Sequence, residues 1–129
     1  SIIAPSLDWI KENCEVFGKA KDEIKKLPGS YTFIFALKVE DCIAESVNLN
    51  SETLGVRLPK HWFTGIVKEL DIPIVTTSVN KAGKQFMTSL DNLDESIKEK
   101  VDFIIYEGKK ESSPSKVINL IDGEVVVER

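Results

Sequence analysis

The stretch YTFIFALKV, residues 31–39, most constrains what this chain can fold into. Tyr31, Phe33, Phe35, Leu37 and Val39 alternate with Thr32, Ile34, Ala36 and Lys38. Side chains of a strand point alternately to its two faces, and here apolar groups stand on both. Such a strand is expected to lie inside a sheet, buried on both faces by layers of helix.

The flanking sequence supplies those layers. SIIAPS reads as a strand followed by Ser6, a helix cap for LDWIKENC, with Leu7 and Ile10 on one face. FGKAKDEIKKL reads as a second helix, its Phe17, Ala20, Ile24 and Leu27 spaced 3, 4 and 3 apart, stopped by Pro28-Gly29. Residues 40–53 carry no clear period and read as a long loop. LGVRLP is a short strand ended by Pro59, and KHWFTGIVKEL a helix with Trp62, Ile66, Val67 and Leu70 at core spacing. DIPIVTT reads as a buried strand, residues 90–101 as a helix capped by Ser89, and VDFIIYEG as a further strand. SKVINLI and EVVVER flank Asp122-Gly123, a two-residue hairpin turn. The class is α/β, with a mixed sheet, flanking helices and a C-terminal β-hairpin.

At 129 residues the chain has the size of one domain, 1–129, able to bury roughly two thirds of its unfolded surface. A strand at Ser1 with no methionine before it reads as part of a longer polypeptide. No apolar run approaches the roughly 20 residues a membrane helix needs, and no basic, cleavable leader opens the sequence, so a cytoplasmic protein is expected. Cys14 and Cys42 stand alone, away from the single histidine, and read as free thiols rather than metal ligands. A net charge of −4 does not advertise nucleic-acid binding.

The chemistry concentrates in a few polar stretches. In PIVTTSVNKAGK, residues 73–84, an apolar strand gives way to three hydroxyls and an amide, then to Gly83 between Lys81 and Lys84. Loops at strand carboxyl ends are where open α/β sheets bind ligands, and small-residue turns offer N–H and hydroxyl donors to phosphate or carboxylate oxygens. An ordinary loop whose polar side chains satisfy their own backbone has the same composition. Arg57, one of only two arginines beside fifteen lysines, follows a short apolar strand and must reach water, a carboxylate or a bound anion. His61 opens a helix, as a cap or a site residue, with no local partner for a catalytic triad. Asp91, Asp94 and Glu95 read as a solvated helix face, and neither a Walker loop nor G-x-G-x-x-G is present.

Four stretches, in order, resemble one family. LPGSYTFIF resembles the PGPxTxxL strand of YrdC-like proteins, VRLPKH their VRxPxH motif, and PIVTTSVNKAG their PLVAPSANxSG. VDFIIYEG, SKVINL and GEVVVER resemble their closing segments. The resemblance implies a twisted, open YrdC-like sheet and a threonylcarbamoyl-adenylate synthase. That nucleotidyltransferase condenses L-threonine, bicarbonate and ATP, with Mg²⁺ on the phosphates, to threonylcarbamoyl-AMP and pyrophosphate for N6-threonylcarbamoyladenosine in tRNA. Carried over by position, Thr32 and Arg57 would line the threonine and carbamate pocket. Ser78, Asn80, Ser115 and Arg129 would hold the nucleotide. Other tRNA-modification proteins are implied partners; an RNA-binding module for tRNA or double-stranded RNA, without synthase activity, is the alternative. The sequence departs from the pattern at Thr77, where the family has proline, at Val79, and at Ser115-Lys116-Val117. It contains no Lys-x-Arg, the family's N-terminal triphosphate grip, so this chain alone is expected to lack synthase activity.

Overall fold

The computed structural model describes residues 1–49, 51–111 and 113–127. Among them, six strands form one mixed sheet: β1 (Ile2–Ile3), β2 (Tyr31–Ala36), β3 (Thr53–Arg57), β4 (Ile74–Val75), β5 (Lys116–Asn119) and β6 (Val126–Val127). Their order is β4-β1-β3-β2-β5-β6. β1 runs parallel to β3 and β2 to β5, while the β2–β3, β1–β4 and β5–β6 pairs are antiparallel. The expected α/β class with a mixed open sheet is therefore found, with β2 at its centre beside β3 and β5.

One face of the sheet carries the core. Phe33, Phe35 and Val56 are wholly buried, Ile2 and Ile118 nearly so, and they join Ile10 from the first helix, Cys14 at its C-terminal cap, and Ala20, Ile24 and Leu27 from the second segment. Burying each phenylalanine is worth about 1.5–3 kcal/mol over leaving it exposed. The opposite face of β2 carries Thr32, Ile34 and Ala36; Thr32 is 7% exposed and the other two are half-buried. Full burial on both faces was too strong an expectation for β2: one face is core, and the other, with Ile34 and Ala36 half-buried, is only partly covered.

Helix α1 (Leu7–Asn13) starts where Ser6 accepts the Trp9 N–H at 3.0 Å, satisfying an otherwise orphaned donor. The second segment is shorter than its spacing predicts: α2 (Ala20–Glu23) tightens into a 3₁₀ turn, Ile24–Lys26. Gly18 causes this. Its φ of +52° is left-handed, and a Cβ there would stand 2.8 Å from the Gly123 carbonyl. Phe17 is thereby turned out of the helix toward Gly123, while Ala20, Ile24 and Leu27 remain buried.

The hairpin β5–β6 forms, with Asn119 opposite Val126, but its loop is longer than two residues. Asp122 and Gly123 do take the positive φ values of a tight turn, 62° and 71°. The Gly123 carbonyl accepts the Lys19 N–H at 2.9 Å, which ties the turn to the Gly18 segment instead of letting the strands zip up to it. Residues 40–53, expected to be irregular, hold the 3₁₀ turn Glu40–Cys42 and the single helical turn α3 (Glu45–Asn48).

Four other elements differ from the sequence reading. β4 is a two-residue edge strand with Val75 56% exposed, not a buried strand. Helix α4 (Trp62–Leu70) buries Val67 fully but leaves Trp62, Ile66 and Leu70 exposed. Residues 101–108 form no strand, although VDFIIYEG has the composition of one: no strand among the described residues pairs with it, and an unpaired strand is unstable in water. The helix expected over 90–101 breaks into a 3₁₀ turn, Leu90–Asn92, and α5 (Glu95–Lys98), because Asp94 caps a new start by accepting the Ser96 N–H. The chain divides into two compact units, Ser1–Thr76 with Ser115–Arg129, and Thr77–Pro114.

Candidate functional site

Two of the sequence-predicted residues meet directly. Thr32 Oγ1 and Ser115 Oγ are 2.6 Å apart, joined across the β2–β5 pair. In the antiparallel β2–β3 ladder Phe33 faces Val56 and Ile34 faces Gly55. Continuing that register by one residue sets Thr32 opposite Arg57. Because Phe33 and Val56 point into the core, Thr32 and Arg57 belong to the other face. Gly55 contributes no side chain there, and even a Cβ would come within 3.2 Å of Ser1 Cβ.

Arg57 also lines an open cleft of about 550 Å³ together with Lys26, Lys60 and His61 over Pro28 and Tyr31. The local sequence builds it. Gly29 donates its N–H to the Leu58 carbonyl at 2.8 Å, tying the Pro28-Gly29 turn to the end of β3. Only glycine fits that turn, since a Cβ would stand 2.6 Å from the Lys26 carbonyl. The Pro59 carbonyl accepts from both the His61 N–H at 3.0 Å and the Thr64 hydroxyl at 2.8 Å, fixing where α4 begins. His61 Nδ1 then accepts the Phe63 N–H at 3.3 Å, so the neutral ring carries its proton on Nε2.

The electrostatics of the cleft have one sign. Its lining holds two lysines, an arginine and a histidine, and no carboxylate. Lys26 is partly neutralised by Glu23 at 2.6 Å and lies 5.8 Å from the Tyr31 ring centre. A guanidinium flanked by ammonium groups suits a carboxylate, carbamate or phosphate, through charge-assisted hydrogen bonds. The sequence analysis singled out Arg57 and His61 but missed Lys26 and Lys60; Lys60, between Pro59 and His61, was the legible signal.

The donor set does not suit a protein-held Mg²⁺, which takes oxygen ligands, carboxylates above all. Among the described residues no three His, Cys, Asp or Glu side chains group in a way that could hold a metal ion. Cys14 is buried, and that burial pushes its thiol up to about 12, with Cys42 adding to the shift, so it stays protonated and unreactive.

The Ser78–Asn80 turn belongs to the unit of residues 77–114. Ser78 is exposed and Asn80 half-buried. The Asn80 side-chain amide donates to the carbonyls of Lys81 at 3.0 Å and Lys84 at 3.2 Å, and Met87 N–H closes the loop onto Val79. Gly83 turns the chain at φ +75°. The asparagine's NH₂ group is thus engaged by its own loop, while Ser78 is exposed. Lys81 pairs with Asp94 at 3.0 Å, which spends part of the positive potential expected of this loop. Arg129 lies outside the described residues.

Comparison with known proteins extends this picture. The Sua5–YciO–YrdC family model, described as telomere recombination, matches residues 1–129. A Methanocaldococcus jannaschii protein named as a threonylcarbamoyl-AMP synthase is 34% identical over 125 residues, covering 90% of this chain and 56% of that protein. The crystal structure of Escherichia coli YciO superposes with a TM-score of 0.82 at 24% identity, over 99% of this chain and 63% of that one. P. abyssi Sua5, crystallised with L-threonine, superposes at 0.79 and 23% identity, over 99% of this chain and 38% of that one. The chain spans about half the length of the curated relatives it matches, 56% and 50% for the Methanocaldococcus protein and E. coli YciO.

Proposed function

This chain belongs to the Sua5–YciO–YrdC family, and from that premise we propose that it forms part of an L-threonylcarbamoyladenylate synthase. The observation that carries the proposal is the carboxylate-free cleft in which Arg57, Lys26, Lys60 and His61 converge. Such a cleft gathers anions, and every reactant but one in this synthesis is an anion; the exception, L-threonine, still presents a carboxylate. The naming of the Methanocaldococcus relative supports the same reading.

In this reading Arg57 grips the threonine carboxylate or the carbamate, and Thr32, held by Ser115, lines the same sheet face. The threonine amine condenses with bicarbonate to a carbamate, releasing water. A carbamate oxygen then attacks the α-phosphorus of ATP, the bond to the β-phosphate oxygen breaks, and pyrophosphate leaves. Cationic side chains offset the charge that builds on the phosphoryl oxygens. Ser78, Asn80, Ser115 and Arg129 contribute on the nucleotide side, with the exposed Ser78 hydroxyl available as a donor. Mg²⁺ would arrive on the triphosphate, since the cleft offers it no carboxylate. The product would serve threonylcarbamoylation of tRNA adenosine, in the cytoplasm and with other tRNA-modification proteins.

The test is ATP–pyrophosphate exchange dependent on L-threonine and bicarbonate, in the longest natural polypeptide that carries this sequence. Arg57→Ala is expected to lower exchange about 100-fold or more while leaving the circular dichroism spectrum unchanged. Exchange within twofold of the parent would remove Arg57 from the chemistry. Salt-sensitive RNA retention with no exchange would replace the synthase with an RNA-binding module.

A further inference from the structure

Glu23 acts on the anion cleft without lining it. Its carboxylate accepts two hydrogen bonds from the Lys26 ammonium, one on each oxygen and both at 2.6 Å. Lys26 belongs to the cleft lining and Glu23 does not. The two side chains differ in their access to water: that of Lys26 is 44% exposed and that of Glu23 15%. The pair stands on a fixed base. Ile24 and Leu27 flank Lys26 in sequence and are each 5% exposed, packed in the core, and the Lys26 carbonyl lies against the Pro28-Gly29 turn. An acid three residues before a lysine on a helical segment is a favourable order. Among the described residues Lys26 supplies every side-chain hydrogen bond that this carboxylate accepts. A mostly covered carboxylate loses much when its cation leaves, so Lys26 cannot turn its whole charge toward a bound anion.

That restraint falls unequally on different anions. Electrostatic energy scales with the product of the charges, so the Glu23 carboxylate opposes a dianion twice as strongly as a monoanion at the same place. A carboxylate or carbamate also needs less positive potential, because the planar guanidinium of Arg57 matches its two oxygens. We propose that Glu23 is a specificity-determining residue of this cleft: by holding Lys26, it lowers affinity for a doubly charged phosphate more than for a singly charged carboxylate or carbamate. The inference rests on the reading of the cleft as the anion site and deepens it. The cleft takes the amino-acid end of the reactants, and Glu23 turns phosphate groups away from it.

The experiment titrates the chain with inorganic phosphate and, separately, with acetate, at about pH 8 and constant ionic strength, where phosphate is mainly a dianion. Binding is followed by the amide chemical shifts of residues 26–31 and 57–61. Glu23→Gln keeps the side chain's shape and removes its charge. It is expected to tighten phosphate binding about tenfold and acetate binding about threefold, the square-root relation that one charge against two requires. Lys26→Gln added to Glu23→Gln restores the parent's net charge and should bring both affinities back to within twofold of the parent. The inference is overturned if Glu23→Gln leaves the phosphate-to-acetate preference unchanged, or if its gain survives the loss of Lys26. Arg57→Ala separates this from the reading beneath it. If Arg57→Ala weakens binding of both anions while Glu23→Gln changes neither, the cleft is the anion site and Glu23 does not tune it. If neither anion responds to Arg57→Ala, the cleft reading itself falls, and this inference with it.

Discussion

Around β2, Phe33, Phe35 and Val56 are wholly buried; between residues 77 and 114 no described residue is buried at all. Both regions have apolar residues to hide. The second has Val79, Leu90, Val101, Phe103, Ile104, Ile105 and Tyr106, every one of them exposed. What holds it is polar and local. Asn80 bridges two carbonyls of its own loop, Asn92 Oδ1 accepts from the Thr88 and Ser89 N–H groups, and Asp94 caps α5 and pairs with Lys81. Thr32, Arg57 and Ser115 are thus carried by a packed sheet, and Ser78 and Asn80 by a loop stitched with hydrogen bonds. Packing fixes positions against large free energies, whereas solvent-facing hydrogen bonds open at small cost.

The largest effect that separates the two regions is a matched pair of truncations. Phe33→Ala should cost about 3–5 kcal/mol in urea unfolding, because it leaves a cavity in a core with no slack. Phe103→Ala, at a side chain 77% exposed, should change stability by no more than about 0.5 kcal/mol. Comparable losses in the two variants would show that residues 101–106 are packed in solution and would break the contrast.

A smaller effect tests how firmly the sheet face holds its polar groups. Thr32→Val keeps the shape of the side chain and removes the partner of Ser115, which stands 2.6 Å away. The expected loss is about 1 kcal/mol in urea unfolding, the net worth of one part-buried hydrogen bond. A change near zero would mean that water replaces the Thr32 hydroxyl, making this face wetter than its 7% exposure indicates.

Much of the sheet region was legible in the sequence because its signals are local and agree with one another. Ser6 before an apolar helix face, Pro28-Gly29 before a strand, and the Phe33–Phe35 alternation each point to the element that forms. The Phe17 error came from ranking a spacing pattern above Gly18, whose left-handed φ decides where the helix begins. VDFIIYEG and the α4 stripe misled for another reason. Period and propensity report that side chains favour burial, but whether a partner strand or helix stands opposite is a tertiary fact that no single segment encodes. Arg57 and His61 stood out as site candidates by rarity alone, while Lys26 and Lys60 were hidden among fifteen lysines until the Pro28-Gly29 turn and the start of α4 brought them into one cleft.

The finest test of the contrast is the acid response of the 77–114 region. Asp94 has its pKa lowered from 3.8, first by the hydrogen bond from the Ser96 hydroxyl and then by Lys81. A carboxylate whose folded pKa lies below its unfolded one contributes stability that is fully present above the unfolded value and lost as pH falls through the folded one. Protection of the amides at residues 96–99, relative to an unstructured peptide at the same pH, should therefore hold from neutrality down to the ordinary carboxylate range and fall only below it. Asp94→Asn should lower that protection at neutral pH and flatten its acid dependence. Added salt should weaken only the Lys81 share, because the Ser96 hydroxyl carries no charge to screen. The β2 amides, closed off by the buried phenylalanines, should not respond to this variant. If they quickened in step with residues 96–99, the two regions would be opening as one cooperative body, and the loop would owe its order to the core after all.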